Sequence, residues 1–380
     1  MIIYKIKKIT AFFLLLIIFA AVLPGCETNA RAQWNPGKPL EKSKIKIGII
    51  YLDEAESGWS LSHKLGIEEA KQKFGLSDGQ IISKVNVSEE DSENIEYAIS
   101  EAIAEGANVI IAPSWGFMDV CEKMAAEHPN VVFAHASGYK QNDTNFTNYF
   151  GRLYQARYLT GIAAGLKTKT GKVGFVAAQG VSNSEVTGWL NAFAMGVESV
   201  NPGALIYVSV TNSWFDPSGE SRAAERLIAE GCDVIAQHCD TAEPQIAAEK
   251  AGVWGIGNNV DMRDSAPNAV ITSAVWHWGV YYTFLIGGII DGSFTTEPYF
   301  GGLADGLVDV APLSKELASP ETEKAISDAK ERITSGSFNV FDGEMETNDG
   351  RKIGAAGKTL TDGEIASGIN WYYRNIILLT

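Results

Sequence analysis

Ile45-Lys46-Ile47-Gly48-Ile49-Ile50-Tyr51, followed by Ser60 to Phe74, decides the fold. The first stretch is short and mostly apolar, which reads as a strand; the second has the length and spacing of a helix. The pair then recurs. Ile81 to Val87 predicts a strand, Ser92 to Glu105 a helix, Asn108 to Ala112 a strand, Asp119 to His128 a helix and Val131 to Ala134 a strand. Such alternation implies right-handed βαβ units around a parallel sheet with helices on both faces.

The rhythm restarts at Tyr154 to Lys167, a helix carrying small residues at Gly161, Ala163, Ala164 and Gly165. Lys172 to Val176 is a strand, Glu185 to Val200 a helix and Leu205 to Val210 a strand. Asp216 caps a helix that opens on Pro217 and runs to Glu230. Strands at Val234–Ala236 and Trp254–Gly257 flank a helix from Glu243 to Ala251. Two α/β halves in succession predict two Rossmann-like lobes: residues 45–150, then 151–262, with 263–380 returning to complete both.

Outside that core, Lys5, Lys7 and Lys8 precede an apolar run from Ala11 to Leu23. The run is too short for a comfortable permanent span, and a basic start with a small-residue end is the layout of a secretion signal. Leu23-Pro24-Gly25-Cys26 resembles the lipobox of bacterial lipoproteins, so residues 1–25 are expected to be a signal peptide and Cys26 to carry lipid. Residues 26–44, without apolar periodicity, read as a tether. The expected location is the extracytoplasmic face of a cell membrane, held by that anchor.

A net charge of −15 with scattered Lys and Arg excludes a nucleic-acid footprint. Cys121, Cys232 and Cys239 are odd in number and irregularly spaced, which argues for buried thiols rather than a disulfide framework. No phosphate-loop, nucleophile-elbow or His-Glu-x-x-His motif occurs, and the five His are scattered; no catalytic residue, metal or cofactor is expected. His238-Cys239-Asp240 looks reactive, yet neighbours on a strand end point in different directions.

Ligands of open α/β sheets sit beyond the carboxyl ends of strands. Reading those tips in order yields Trp59, Ser60 and His63, then Ser114 and Trp115, then Ser137. The second half contributes Trp214, then Gln237, His238 and Asp240, then Asn259, and a late stretch adds Trp276. Tryptophans on tips of both halves suit a flat aromatic ligand stacked on two faces. The Ser, His, Gln, Asp and Asn side chains are the candidate readers of its polar edge.

At these tips the chain resembles the basic membrane protein family, substrate-binding lipoproteins of ABC importers that include purine nucleoside receptors. The likeness rests on Gly58-Trp59-Ser60, the Tyr154–Gly165 helix, Ser213-Trp-Phe-Asp-Pro217, Ile256-Gly-Asn-Asn-Val-Asp261 and Val270-Ile-Thr-Ser273. It implies a type I periplasmic-binding-protein fold, a monomer that closes about hinges and delivers its ligand to a permease and ATPase. Trp59 and Trp214 stand where the family's stacking Phe residues stand. Asn259 and Trp276 replace the ribose-holding Asp and Lys, and Ser137 replaces a further Asp. A sugar's hydroxyls left unpaired lose affinity, so a free purine base (adenine, hypoxanthine or guanine) is expected before a nucleoside. A larger flat ligand such as a flavin, or a sensing role, is the remaining alternative. Hinges are expected near Asn148–Gly151, Asp261–Ala269 and Ser273–Trp276.

Overall fold

The computed structural model describes residues 34–379; the signal-like run and Cys26 lie outside the described residues. The first lobe is built from β1 (Ile47–Ile50), α1 (Gly58–Phe74), β2 (Ile81–Lys84), α2 (Ser92–Ala104), β3 (Val109–Ala112), α3 (Met118–Glu127), β4 (Val132–Ala136) and β5 (Phe146–Gly151). The second comprises α4 (Leu153–Lys167), β6 (Lys172–Ala177), α5 (Ser184–Val200), β7 (Leu205–Val210), α6 (Pro217–Ala229), β8 (Val234–His238), α7 (Glu243–Ala251), β9 (Trp254–Asn259) and β10 (Val270–Trp276).

The chain then returns through α8 (Trp278–Asp291) and β11 (Tyr299–Gly301) to the first lobe, and through β12 (Val308–Val310) and α9 (Pro320–Thr334) to the second. An exposed antiparallel hairpin, β13 (Asp342–Glu346) and β14 (Lys352–Thr359), precedes α10 (Asp362–Gly368) and β15 (Ile376–Leu378). The first sheet runs β11-β5-β4-β3-β1-β2 and is parallel throughout. The second runs β12-β10-β9-β8-β6-β7-β15 and is parallel except for β12 against β10. Every residue of β1, β3, β4, β8 and β10 is buried, which is why these strands are unbroken runs rather than alternating ones.

Each lobe has its own core. Ile50, Ile99, Ile110, Phe133 and Phe146 anchor the first, and Val176, Leu227, Ile235 and Val270 the second. Cys121, Cys232 and Cys239 are buried free thiols inside them. The small residues of α4 have a packing cause. A Cβ on Gly161 would lie 2.2 Å from Phe193 O, and one on Gly196 of α5 would lie 2.1 Å from Tyr158 O. The two helices therefore touch backbone to backbone.

Three crossovers join the lobes: Arg152, His277 and residues 302–307. The expected hinge at Asp261–Ala269 is corrected, because that segment joins β9 to β10, neighbours in one sheet. The third crossover is instead the glycine-rich turn Gly302–Leu307, closed by Gly302 N donating to Asp305 Oδ2 at 2.7 Å. The stretches expected as hinges at Asn148–Gly151 and Ser273–Trp276 belong to the inner strands β5 and β10, and the crossovers follow them at Arg152 and His277. No described helix is long and apolar enough to cross a membrane.

Candidate ligand-binding site

Strand tips of both lobes meet around a cavity of about 430 Å³, at the lower end of the roughly 300–1,000 Å³ usual for small-molecule sites. Ser57 caps α1 by accepting from Ser60 N, and the helix starts at Gly58, whose N–H donates to Asp240 O of the other lobe at 2.8 Å. A Cβ on Gly58 would stand 3.2 Å from that carbonyl, so glycine permits the approach. Trp59 follows and faces the cavity. Its Nε1 donates to Pro113 O at 2.7 Å, and His63, Trp278 and Trp276 meet its ring edge to face at 4.6, 5.7 and 6.3 Å between centroids. The plate is thus fixed before any ligand arrives.

Ser114 and Trp115 line the cavity beyond β3, and Ser137 beyond β4. Trp115 is about half exposed and packs on Tyr139 at the rim. Trp214, His238, Asp240 and Asn259 line it from the second lobe. Ser137 and Asn259 both take left-handed backbone, with φ of +63° and +64°. Asn tolerates this easily, Ser less so, and such conformations gather at binding sites. Asn259 Nδ2 donates to Asp240 Oδ1 at 2.8 Å, which leaves that carboxyl's other oxygen for a ligand.

Four predicted site residues lie elsewhere, and their roles are corrected accordingly. Ser60 is buried and donates to Asp53 Oδ2 at 2.9 Å. His63 is wholly buried, stacked on Trp278 at 4.6 Å with Nδ1 2.6 Å from Tyr282 Oη. Gln237 points into the second core, donating to Thr241 O at 2.6 Å and accepting from Gln245 Nε2 at 2.8 Å. Trp276 stacks on Trp278 at 4.3 Å and backs Phe150 and Trp189, at 5.4 and 5.8 Å, from behind. In each case the residue supports the wall instead of forming its surface.

The wall also contains residues the strand-tip reading missed. Phe150 of β5 stacks on Trp189 of α5 at 5.8 Å, and Trp189 stacks on His238 at 4.6 Å, making one continuous aromatic face. Glu89 and Glu185 line the cavity as well. Glu89 follows the second strand and Glu185 follows β6, the two tips left out of the reading; the same rule applied to every strand reaches both. Nothing local in the sequence points to the contribution of α10.

The electrostatics are those of a cleft lined by buried acids. Burial, then repulsion from Glu89, pushes the Glu185 carboxyl up to about 8, with the buried Arg157 guanidinium opposing the rise. About a quarter of the Glu185 side chain stays open (26%), and at neutral pH it is chiefly a neutral acid with one O–H to donate. Burial, then the charges of Glu220, Asp53 and Glu185, raises Asp240 well above the usual carboxylate range. His238, with Nε2 3.6 Å from Glu185 Oε1, is held far below its ordinary value by burial and then by Arg157. It therefore stays neutral. Among the described residues no Lys or Arg lines the cavity, and no group of His, Cys, Asp and Glu is placed to hold a metal ion.

A family model described as ABC transporter substrate-binding protein, PnrA-like (Bmp), matches residues 45–340. The chain is 33% identical over 342 residues to a purine-binding protein of Brucella abortus, covering 90% of this chain and 95% of that one. It is 32% identical to a Haloferax volcanii ABC transporter protein described as glucose-binding, covering 81% of this chain and 76% of the other. Among solved structures, an ABC transporter solute-binding protein from Conexibacter woesei superposes with a TM-score of 0.65 at 20% identity, over 78% of this chain and 98% of that one. That likeness establishes the two-lobed type I binding-protein fold.

Proposed function

This chain belongs to the Bmp family of PnrA-like ABC transporter substrate-binding proteins, and we propose that its cavity takes a free purine base, namely adenine, hypoxanthine or guanine. Proteins of this family are extracytoplasmic binders that serve a permease and an ATPase; they are not enzymes. The observation that carries the ligand is the composition of the wall. Aromatic plates come from both lobes, Trp59 from one and Trp214 and Trp189 from the other, while the polar lining is carboxyl, hydroxyl, amide and neutral imidazole.

A purine edge alternates N–H donors with ring-nitrogen and carbonyl acceptors. Neutral Glu185 offers a donor and an acceptor together, the Asp240 carboxyl and Asn259 amide offer more of both, and Ser114 and Ser137 add hydroxyls. The absence of lining Lys or Arg disfavours phosphorylated or carboxylated ligands, whose charge would be buried without a counter-ion. The purine-binding relative in Brucella supports the same reading. The family's ribose-holding Asp and Lys are replaced here by Asn259 and Trp276, which favours the bare base. Delivery follows from the hinges, since a ligand that touches both lobes stabilises the closed form that a permease reads.

Calorimetric titration of purified protein with adenine, hypoxanthine, guanine, their nucleosides and glucose tests this. A base should bind at least tenfold more tightly than its nucleoside. Tight glucose binding with no response to any base overturns the purine reading, and a preference for nucleosides overturns the choice of base. Cys26 is proposed as the lipid anchor. Labelled fatty acid should enter the full-length chain and fail to enter a Cys26→Ser variant; equal labelling of the two removes the anchor.

A further inference from the structure

The family match ends at residue 340, but the wall of the cavity does not. Ile365, Ala366 and Ser367 of α10 line it. A capping box starts this short helix: Glu364 N donates to Thr361 Oγ1 at 3.3 Å and Thr361 N donates to Glu364 Oε2 at 2.8 Å. One side of the segment is tied to the second lobe. Ile365 and Ile369 pack over Gly188 of α5, where a Cβ would lie 3.2 Å from Ile369 Cδ1. Farther along, Asn191 of α5 donates to Trp371 O and accepts from Tyr373 N, both at 2.8 Å, and β15 then joins β7.

The other side is tied to the crossover. Arg152, directly after β5, forks onto Asp362 with Nε and Nη2 at 2.9 and 2.6 Å from its two oxygens. Its Nη1 donates to Phe300 O of β11 at 2.7 Å. One guanidinium thus clips the tail to the first-lobe edge formed by β5 and β11. A two-pronged carboxylate fork has the directional strength for this, although both groups are part-exposed.

We propose that α10 is a specificity-determining wall at the Phe150–Phe300 end of the cavity, with the Arg152–Asp362 fork holding it in place. The inference rests on the purine reading. The strand-tip walls belong to the two sheets, and Trp59, Phe150, Trp189 and His238 are locked in ring contacts. Among the described lining residues, those of α10 alone lie beyond the family match. The helix presents two apolar side chains, Ile365 and Ala366, and a single hydroxyl, that of Ser367. A ligand that extends toward this end sets its polar groups against Ile365 and Ala366.

Titration of full-length wild type, Asp362→Asn, Ile365→Ala and Ala366→Trp with adenine and adenosine, each variant first shown by its melting transition to be folded, tests the wall. Asp362→Asn and Ile365→Ala should each shrink the adenine-to-adenosine affinity ratio at least fivefold, mostly by admitting adenosine. Ala366→Trp should weaken both ligands at least tenfold. If the two loosening variants keep the wild-type ratio while wild type binds adenine, the wall is refuted and the purine reading stands. If wild type binds neither ligand, the purine reading falls and takes the wall with it.

Discussion

Glu185 carries the sharpest residue-scale consequence. Its folded-state value of about 8 lies above the ordinary carboxyl value, so the neutral form is favoured by folding. The stability this contributes is fully present below about pH 4.5 and is lost as pH rises through about 8. Glu185→Gln cannot ionise and removes that slope. Relative to the variant, wild type should lose about 2 kcal/mol between pH 5 and pH 8, less than a fully enclosed carboxyl because a quarter of the side chain is open. His238 has the opposite sign, with stability lost as pH falls below its ordinary value, but it is common to both proteins. Urea unfolding at the two pH values checks this, and parallel curves would sink it. Trp214→Ala should weaken adenine binding by about 1–3 kcal/mol, the worth of one stacked base, as read by calorimetry; an unchanged affinity would remove Trp214 from the stack. Trp214 was legible because tips are wet and a tryptophan there is conspicuous. The raised carboxyl of Glu185 was not, since it comes from burial and from Glu89 and Arg157, both remote in sequence.

At the scale of elements, α4 and α5 show what a sequence pattern can carry. The small residues of α4 were visible, but not which surface they met. The contact is backbone on backbone, and Phe193 O cannot rotate away from a new methyl group. Gly161→Ala should therefore destabilise by about 3 kcal/mol, at or above the usual overpacking range, whereas Gly203→Ala, with open space around its Cβ, should change stability by less than about 0.5 kcal/mol. Denaturant melts of the pair decide it, and equal midpoints would refute the close contact. The α6 cap, by contrast, was readable outright. Asp216 accepts from Gly219 N at 2.9 Å with Pro217 in the first turn, because capping depends only on residues three apart.

For the whole molecule, the backbone bond from Gly58 N to Asp240 O joins the lobes directly, so this is a closed arrangement. Addition of adenine to ligand-free protein should reduce the radius of gyration seen by small-angle scattering. Gly58→Val should prevent that compaction and weaken adenine binding at least tenfold, because its side chain would meet Asp240 O and Asn259 Cβ. Compaction equal to wild type in the variant would show that the lobes do not close on this contact.

The sequence alone determined the elements from β1 to β9 apart from β5, the two parallel-sheet halves and the tryptophans at their tips, because periodicity, capping and the strand-end rule act over a few residues. Tertiary structure alone decided depth. His63, Gln237 and Trp276 sit near strand ends just as Trp59 and His238 do, yet they lie one layer behind the cavity, where Trp278, Tyr282 and Gln245 take up their contacts. It also decided that the returning chain supplies the third crossover and that α10, far along the sequence, lines one end of the site. Those outcomes depend on how the lobes and the tail meet, and no local spacing encodes a meeting between residues two hundred positions apart.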